Sequence, residues 1–425
     1  MSAPTSTGVS VRQGGHPALE RLLSVPVDEF ATRCWGREPL LSTAAERGAA
    51  GRGDTFLDLL SPAAVDELVS QRGLRTPFLR VARGGTTYAD RQFTDGGGVG
   101  AAIADQVSDD KLLHLFAEGA TLVLQGLHRS WPAVTAFSQQ LAEDLGHPVQ
   151  ANAYVTPPQS TGFSDHYDVH DVFVLQVSGE KRWRIHAPVH PLPHRDEPWT
   201  DHKAAVEAAA TTPPVIEATL RPGDCLYLPR GYLHAATALG GVSTHLTLGV
   251  HAWTGRHLAD ELVAQAVRRA ATGRALREPL PLAVDLGDAD ELRPHVEQVR
   301  DELVETLRTM SGADLAAALA RTVRRTQRAA PVGPLAQTEA ARALADDAVP
   351  GHDAPIALAL RAHLQARLVT AENGLRLVSR AAPVDLSDAE VDAVRRLLAE
   401  RVADVGSLGR DLARRLLLAG VVVPG

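Results

Sequence analysis

Asp165-His166-Tyr167-Asp168-Val169-His170-Asp171-Val172-Phe173-Val174-Leu175-Gln176-Val177-Ser178-Gly179-Glu180-Lys181-Arg182-Trp183 is the stretch on which the reading of this chain turns. In an extended strand, residues two apart project from the same face, so His166 and Asp168 present an imidazole and a carboxylate to one point in space. That is half of a metal site. The third ligand has two candidates, His234 and His245. His234 is preferred because it lies on the strand expected after the Pro229-Arg230-Gly231 turn, at a barrel rim beside the sheet carrying His166.

Two histidines and one carboxylate on one face are the usual arrangement of non-haem Fe(II) oxygenases. A structural zinc site normally recruits four ligands, often cysteines, and this chain has only Cys34 and Cys225. Iron is the better assignment. The lysine of Glu180-Lys181-Arg182-Trp183-Arg184-Ile185 supports it, since alternation puts Lys181 on the same face as Trp183 and Ile185. An inward ammonium is costly unless paired. Lys181 either forms a structural ion pair with an internal carboxylate or clamps the distal carboxylate of a dicarboxylate co-substrate.

Outward from this stretch, short β-like runs cover 121–124, 149–155, 172–177, 181–186, 215–220, 225–228 and 242–250, separated by Gly and Pro turns. Such a pattern indicates an antiparallel sandwich or small barrel. Ser243, His245, Thr247 and Gly249 share one face of the last run, and Asn152 and Tyr154 share one face of another. Polar faces from several strands suit a ligand-holding interior better than a sealed core. His170, His186, His190, His194 and His202, interrupted by prolines, are expected to be solvated. The Gly-rich run 95–100 lacks the Gly-Lys-Ser/Thr ending of a phosphate loop and reads as a plain loop.

Before the barrel, residues 1–15 read as a disordered tail, 16–45 as helix followed by loop, and 55–60 and 62–70 as a helix pair. After it, long amphipathic helices are expected over 257–271, 288–310 and 313–326, then mixed helices with a strand pair, 367–369 and 374–378, around Glu372-Asn373-Gly374. At 425 residues and 44% apolar content, the chain is expected to be soluble and multi-domain. No run approaches the roughly 20 apolar residues needed to cross a bilayer. Two cysteines and a start without an apolar leader point to a reducing cytoplasm. The net charge of −8 gives no electrostatic reason to expect nucleic acid as the main partner.

Taken together, Asn152-Ala153-Tyr154-Val155-Thr156-Pro157, His166-Tyr167-Asp168, Asp171-Val172-Phe173-Val174-Leu175-Gln176, Gly179-Glu180-Lys181-Arg182-Trp183, Gly223-Asp224 with Leu228-Pro229-x-Gly231-x-x-His234, and Ser243-Thr244-His245-Leu246-Thr247 resemble the JmjC/cupin-like ribosomal oxygenases. That family includes arginine hydroxylases and histidine hydroxylases of ribosomal proteins. The resemblance implies a mainly β core with α-helices. It is a double-stranded β-helix catalytic domain over 16–252, followed by a helical dimerisation region over 253–330 and a winged-helix-like domain over 331–425. It further implies that His166, Asp168 and His234 hold Fe(II), that Lys181, Thr247 and Asn152 bind 2-oxoglutarate, and that Tyr154 and Gly249 lie on the substrate side. The implied chemistry couples oxidative decarboxylation of 2-oxoglutarate by O2 to hydroxylation of a C–H bond.

Two departures leave the target residue open. Gly249 stands where the histidine hydroxylases have a substrate-contacting serine, and Lys181 stands where the bacterial arginine hydroxylase uses arginine. Three rival readings follow. A small-molecule or peptide natural product could replace the protein substrate. The winged-helix-like end could serve a non-catalytic DNA-binding regulator, although 351–425 holds ten arginines against nine acidic residues. The chain could also be an inactive scaffold, against which stand the intact ligand set and Lys181.

Overall fold

The structure is a computed structural model, and it describes residues 15–53, 55–345, 357–371 and 374–425. Residues 1–14 of the expected tail, and Glu372 and Asn373 of the expected turn, lie outside the described residues. Two compact units divide the chain: residues up to Ala252 with Ala329–Pro331, and Trp253–Arg328 with Val332–Gly425.

The first unit is built on two long strands that each serve two sheets. Over its first half, the strand Asp171–His186 pairs with Cys225–Leu228 and with residues 244–250. Over its second half it pairs with Ile216–Leu220 and with residues 233–239. The strand Leu233–Val250 makes the matching change of partner through a register shift between Leu239 and Thr244. This is the double-stranded β-helix. The sequence reads both strands as pairs of short runs because the bend interrupts each apolar pattern.

Gly179 marks the bend. Its φ is +65°, and a Cβ there would meet the carbonyl oxygen of Val242 at 2.2 Å. Only glycine fits such a position. Gln176, fully buried, ties the bend together by donating to the carbonyls of Ser178 and Gly179 and to Oγ of Ser243.

Strands Val149–Thr156, Thr121–Leu124 and Leu79–Arg83, paired in that order, extend the larger sheet. Its outer side packs on the helices Pro17–Leu22, Pro62–Gln71 and Pro132–Leu145 through residues such as Leu22, Leu68 and Leu141. The helix expected over 55–60 is instead a turn. The Leu59 carbonyl there accepts a hydrogen bond from Nε1 of Trp131 rather than from a helical neighbour. Between the two sheets lies a smaller cluster of Val172, Val174, Trp183, Ile185, Leu220, Leu226 and Leu228.

In the second unit, the helices Gly255–Ala270, Ala289–Thr309 and Gly312–Thr326 match the amphipathic runs read from the sequence. Two three-stranded sheets follow, with the helices Asp388–Glu400 and Arg410–Leu418. Gln337, on the helix Pro334–Ala343, donates to the carbonyls of Leu417 and Val422 and joins one sheet to the last helix.

Candidate active site

Two backbone contacts place the metal-type ligands. His166 and His234 form an isolated antiparallel bridge, with His234 N–H donating to the His166 carbonyl at 2.8 Å. Their rings consequently face each other, with centroids 4.5 Å apart. The turn before His234 is fixed independently: Gly231 N–H donates to the Asp168 carbonyl, and the buried Asp171 carboxylate accepts from Tyr227 O–H (2.7 Å) and Arg230 N–H (3.1 Å). Gly231 has φ +90°, and a Cβ there would lie 2.8 Å from the His190 carbonyl oxygen. The Pro-x-Gly-x-x-His spacing is thus a geometric requirement of the turn.

Ligand atoms of His166, Asp168 and His234 all lie within 4.8 Å of one another, with Nε2 of His234 3.8 Å from Oδ2 of Asp168. No other three His, Cys, Asp or Glu residues converge in this way among the described residues. Each imidazole has its Nδ1–H donated to a backbone carbonyl, His166 to Ser164 (2.7 Å) and His234 to Tyr232 (3.1 Å). That fixes the tautomer and leaves Nε2 as a free lone pair, the state a cation needs. Burial, reinforced by the neighbouring His166, pushes His234 down to about 4, so it is neutral at physiological pH. Burial pushes Asp168 up, but the imidazoles of His170, His234 and His166 outweigh it and hold the carboxyl below its ordinary range. The donor set, the tautomers and the charge states fit a divalent cation.

These three residues open onto a cavity that is also lined by Lys181, Trp183, Tyr154, Phe163, His245, Thr247 and Thr121. Lys181 is 3% exposed, and its Nζ donates to Oγ1 of Thr156 at 3.0 Å. No carboxylate pairs with it among the ion pairs of the described residues, and burial lowers its pKa to about 7. The structural ion pair is therefore not what the lysine makes. His245, the rival third ligand, is also buried, but its ring stacks on Tyr154 at 4.9 Å and lies edge-on to Trp183 at 5.4 Å. It is not part of the converging triad. Burial, with Lys181 nearby, drives it well below the ordinary imidazole range.

Of the other residues singled out in the sequence, Tyr154 and Thr247 line the cavity. Burial raises the Tyr154 phenol to about 12, which keeps it protonated. Asn152 lies opposite Thr247 in register, but its amide oxygen accepts from Gly126 N–H at 3.0 Å, and it does not line the cavity. Gly249 is two residues beyond Thr247 on the same strand and also lies outside the lining. His186 corrects an expectation: at 2% exposure it is buried, because the strand continues through it to pair with Leu233, whereas solvent was expected there. Sequence reasoning missed Thr156 and Thr121, whose hydroxyls are 3.2 Å apart. Thr156 follows Asn152 and Tyr154 at the same two-residue period, so that alternation already contained the signal.

Residues 129–258 match the JmjC domain family. The chain is 30% identical over 228 residues to the bifunctional lysine-specific demethylase and histidyl-hydroxylase NO66 of Aedes aegypti, covering 53% of this chain and 33% of that protein. It is 38% identical over 138 residues to ribosomal oxygenase 1 of Rattus norvegicus, covering 32% and 23%. The chain spans about a third or less of the length of these curated relatives. Among solved structures it resembles the Escherichia coli ribosomal oxygenase YcfD in complex with cobalt and 2-oxoglutarate, with a TM-score of 0.55 and 17% identity over 94% of this chain and 98% of that one. That likeness is one of fold.

Proposed function

We propose that the chain is a JmjC-domain ribosomal oxygenase, an Fe(II)- and 2-oxoglutarate-dependent enzyme that hydroxylates a side chain of a ribosomal protein. The observation that carries this reading is the pairing, in one cavity, of a two-histidine, one-carboxylate face with a buried lysine that has no carboxylate partner among the described residues. Burying an ammonium costs several kcal/mol unless an anion meets it. A dianionic co-substrate that reaches from the metal face to Lys181 removes that cost on binding.

Register supports the span. His234 sits opposite Ile185 and Ala238 opposite Lys181, four residues further along, or roughly 13 Å of strand. The extended lysine side chain covers part of that length and the five-carbon co-substrate the rest. His166, Asp168 and His234 hold the iron, which when bound supplies the oxidation that turns 2-oxoglutarate and O2 into succinate, CO2 and a hydroxylated product. Lys181 binds the distal carboxylate, with Thr156 orienting its ammonium and Thr247 beside it. Tyr154, kept as a neutral phenol, and Phe163, edge-on to it at 6.1 Å, border the substrate side and help to exclude water. Asn152 acts indirectly, by fixing Gly126 behind the strand.

The same reading places the protein in a reducing cytoplasm, where the buried free thiols Cys34 and Cys225 are stable. No helix among the described residues is long and apolar enough to cross a membrane. It makes the protein a homodimer through the helical region 253–330, where Leu258, Val263, Val267 and Val296 are exposed apolar side chains, and it gives 331–425 a winged-helix-like role in docking. Under anaerobic conditions, wild-type protein with Fe(II) and 2-oxoglutarate is expected to develop a weak visible charge-transfer band, and His166→Ala is expected to abolish it. The same spectrum in both proteins rules out the iron assignment.

A further inference from the structure

Six aromatic rings line the cavity, and consecutive contacts join them into a closed belt. Trp183 meets His245 at 5.4 Å between ring centroids, His245 meets Tyr154 at 4.9 Å, Tyr154 meets Phe163 at 6.1 Å and Phe163 meets His166 at 6.0 Å. His166 to His234 at 4.5 Å and His234 to Trp183 at 6.1 Å complete the circuit. Its two halves differ in exposure. His234, Trp183 and His245 are buried, whereas Tyr154, Phe163 and His166 are half-buried in succession. The belt is therefore open to solvent along one arc, and Phe163 is the middle ring of that arc.

The backbone leading to Phe163 is pinned. The Thr161 and Gly162 carbonyls accept from Gly84 N–H (3.1 Å) and Gly85 N–H (3.0 Å), and the Thr161 hydroxyl meets the Thr237 hydroxyl at 2.9 Å. A Cβ at Gly162 would stand 3.0 Å from Oγ1 of Thr121, so the chain just before Phe163 lies against the cavity wall. A ring on so fixed a base is placed before a ligand arrives, which lowers the ordering cost of binding.

The other rings have tasks of their own. His166 and His234 belong to the metal face, His245 lies parallel to Tyr154 and covers one side of it, and Trp183 shares its strand face with Lys181. Phe163 brings no polar atom to the site. What it offers an entering side chain is an aromatic surface, on which flat conjugated groups and delocalised cations gain more than an aliphatic chain does.

We propose that Phe163 is a substrate-contacting residue that seats the target side chain on the open arc, beside the metal face, and that it selects a flat imidazole, guanidinium or carboxamide over an aliphatic chain. This rests on the oxygenase reading above and assigns the entry side of the same site. A seated target also keeps water from the metal face, so Phe163 ties consumption of 2-oxoglutarate to hydroxylation.

The test incubates full-length enzyme, Fe(II), 2-oxoglutarate and O2 with extracted ribosomal proteins, then measures both succinate and the oxygen added to each residue by mass spectrometry. Wild type should mark a flat side chain. Phe163→Leu should lower the oxygen added per succinate formed by roughly tenfold or more, because an apolar chain without a ring no longer holds the target in place. Phe163→Tyr, which keeps the ring, should stay within about twofold of wild type. Melting temperatures show whether Phe163→Leu folds, and Phe163→Met, also apolar and ringless, carries the test if it does not. Calorimetric binding of 2-oxoglutarate to Mn(II)-loaded wild type reports on the oxygenase reading separately. A wild type that binds 2-oxoglutarate and forms succinate, but adds oxygen to an aliphatic side chain or to none, overturns this inference alone. So does an unchanged ratio of added oxygen to succinate in a folded ringless variant.

Discussion

The two ends of the cavity handle polar burial in opposite ways. At the metal face, both imidazoles are supported from behind: His166 and His234 donate to fixed carbonyls, and the turn between Asp168 and His234 is held by Asp171 and Gly231. At the other end, the Lys181 ammonium has three protons to donate and, among the described residues, a single threonine hydroxyl to receive one. Buried polar groups are normally satisfied. Two imidazoles oriented with their Nε2 toward one carboxylate indicate a cation, and a buried ammonium without its anion indicates a carboxylate ligand. The contrast teaches where a ligand is missing and which charge it carries.

The largest expected effect comes from the element that holds both ends in one frame. Gly179→Ala drives a Cβ into the Val242 carbonyl and should destabilise the fold by about 3 kcal/mol or more, read as a lower urea midpoint. A near-normal midpoint shows that the bend does not set the frame. Next, Lys181→Ala should raise the 2-oxoglutarate concentration for half-saturation by roughly a hundredfold, the loss of a charge-assisted contact of about 3 kcal/mol. His166→Ala should leave no turnover at any 2-oxoglutarate concentration, so the two ends fail differently.

A subtler consequence concerns stability. Lys181→Met removes a buried charge that lacks a partner and should make the ligand-free protein more stable than wild type. The folded pKa of Lys181, about 7, lies below its ordinary 10.5, so between these values the unfolded chain binds more protons and wild-type stability rises with pH. The advantage of Lys181→Met should therefore be full below pH 7 and shrink toward pH 10.5. An advantage that does not vary with pH contradicts the unpartnered ammonium. Smallest of all, Thr156→Val removes one neutral partner of the ammonium and should weaken 2-oxoglutarate binding by roughly fivefold, about 1 kcal/mol.

The pattern of apolar and polar residues revealed which side chains share a face, and so His166 with Asp168, and Lys181 with Trp183, were legible before any coordinates. His234 was legible through its turn, because proline and glycine spacing has a fixed backbone meaning there. Partner exchange was not legible. Gly179 reads as a break between two strands, when it is the bend of one, since local pattern cannot distinguish a chain that stops from a chain that changes sheets. Alternation likewise gives the side of a strand but not the depth along it, which is why Asn152 and Gly249 fall on the cavity's face yet outside its lining, whereas His186 was expected in solvent from the prolines that follow it.

The central claim is that both ends of the cavity hold one molecule. Anaerobic titration of 2-oxoglutarate into Fe(II)-loaded wild type and Lys181→Met, followed by the visible charge-transfer band, tests it most directly. The account predicts the same band in both proteins at saturation, with the midpoint of Lys181→Met displaced upward by roughly a hundredfold. Identical midpoints would contradict it, because the lysine would then stand apart from the molecule bound at the metal.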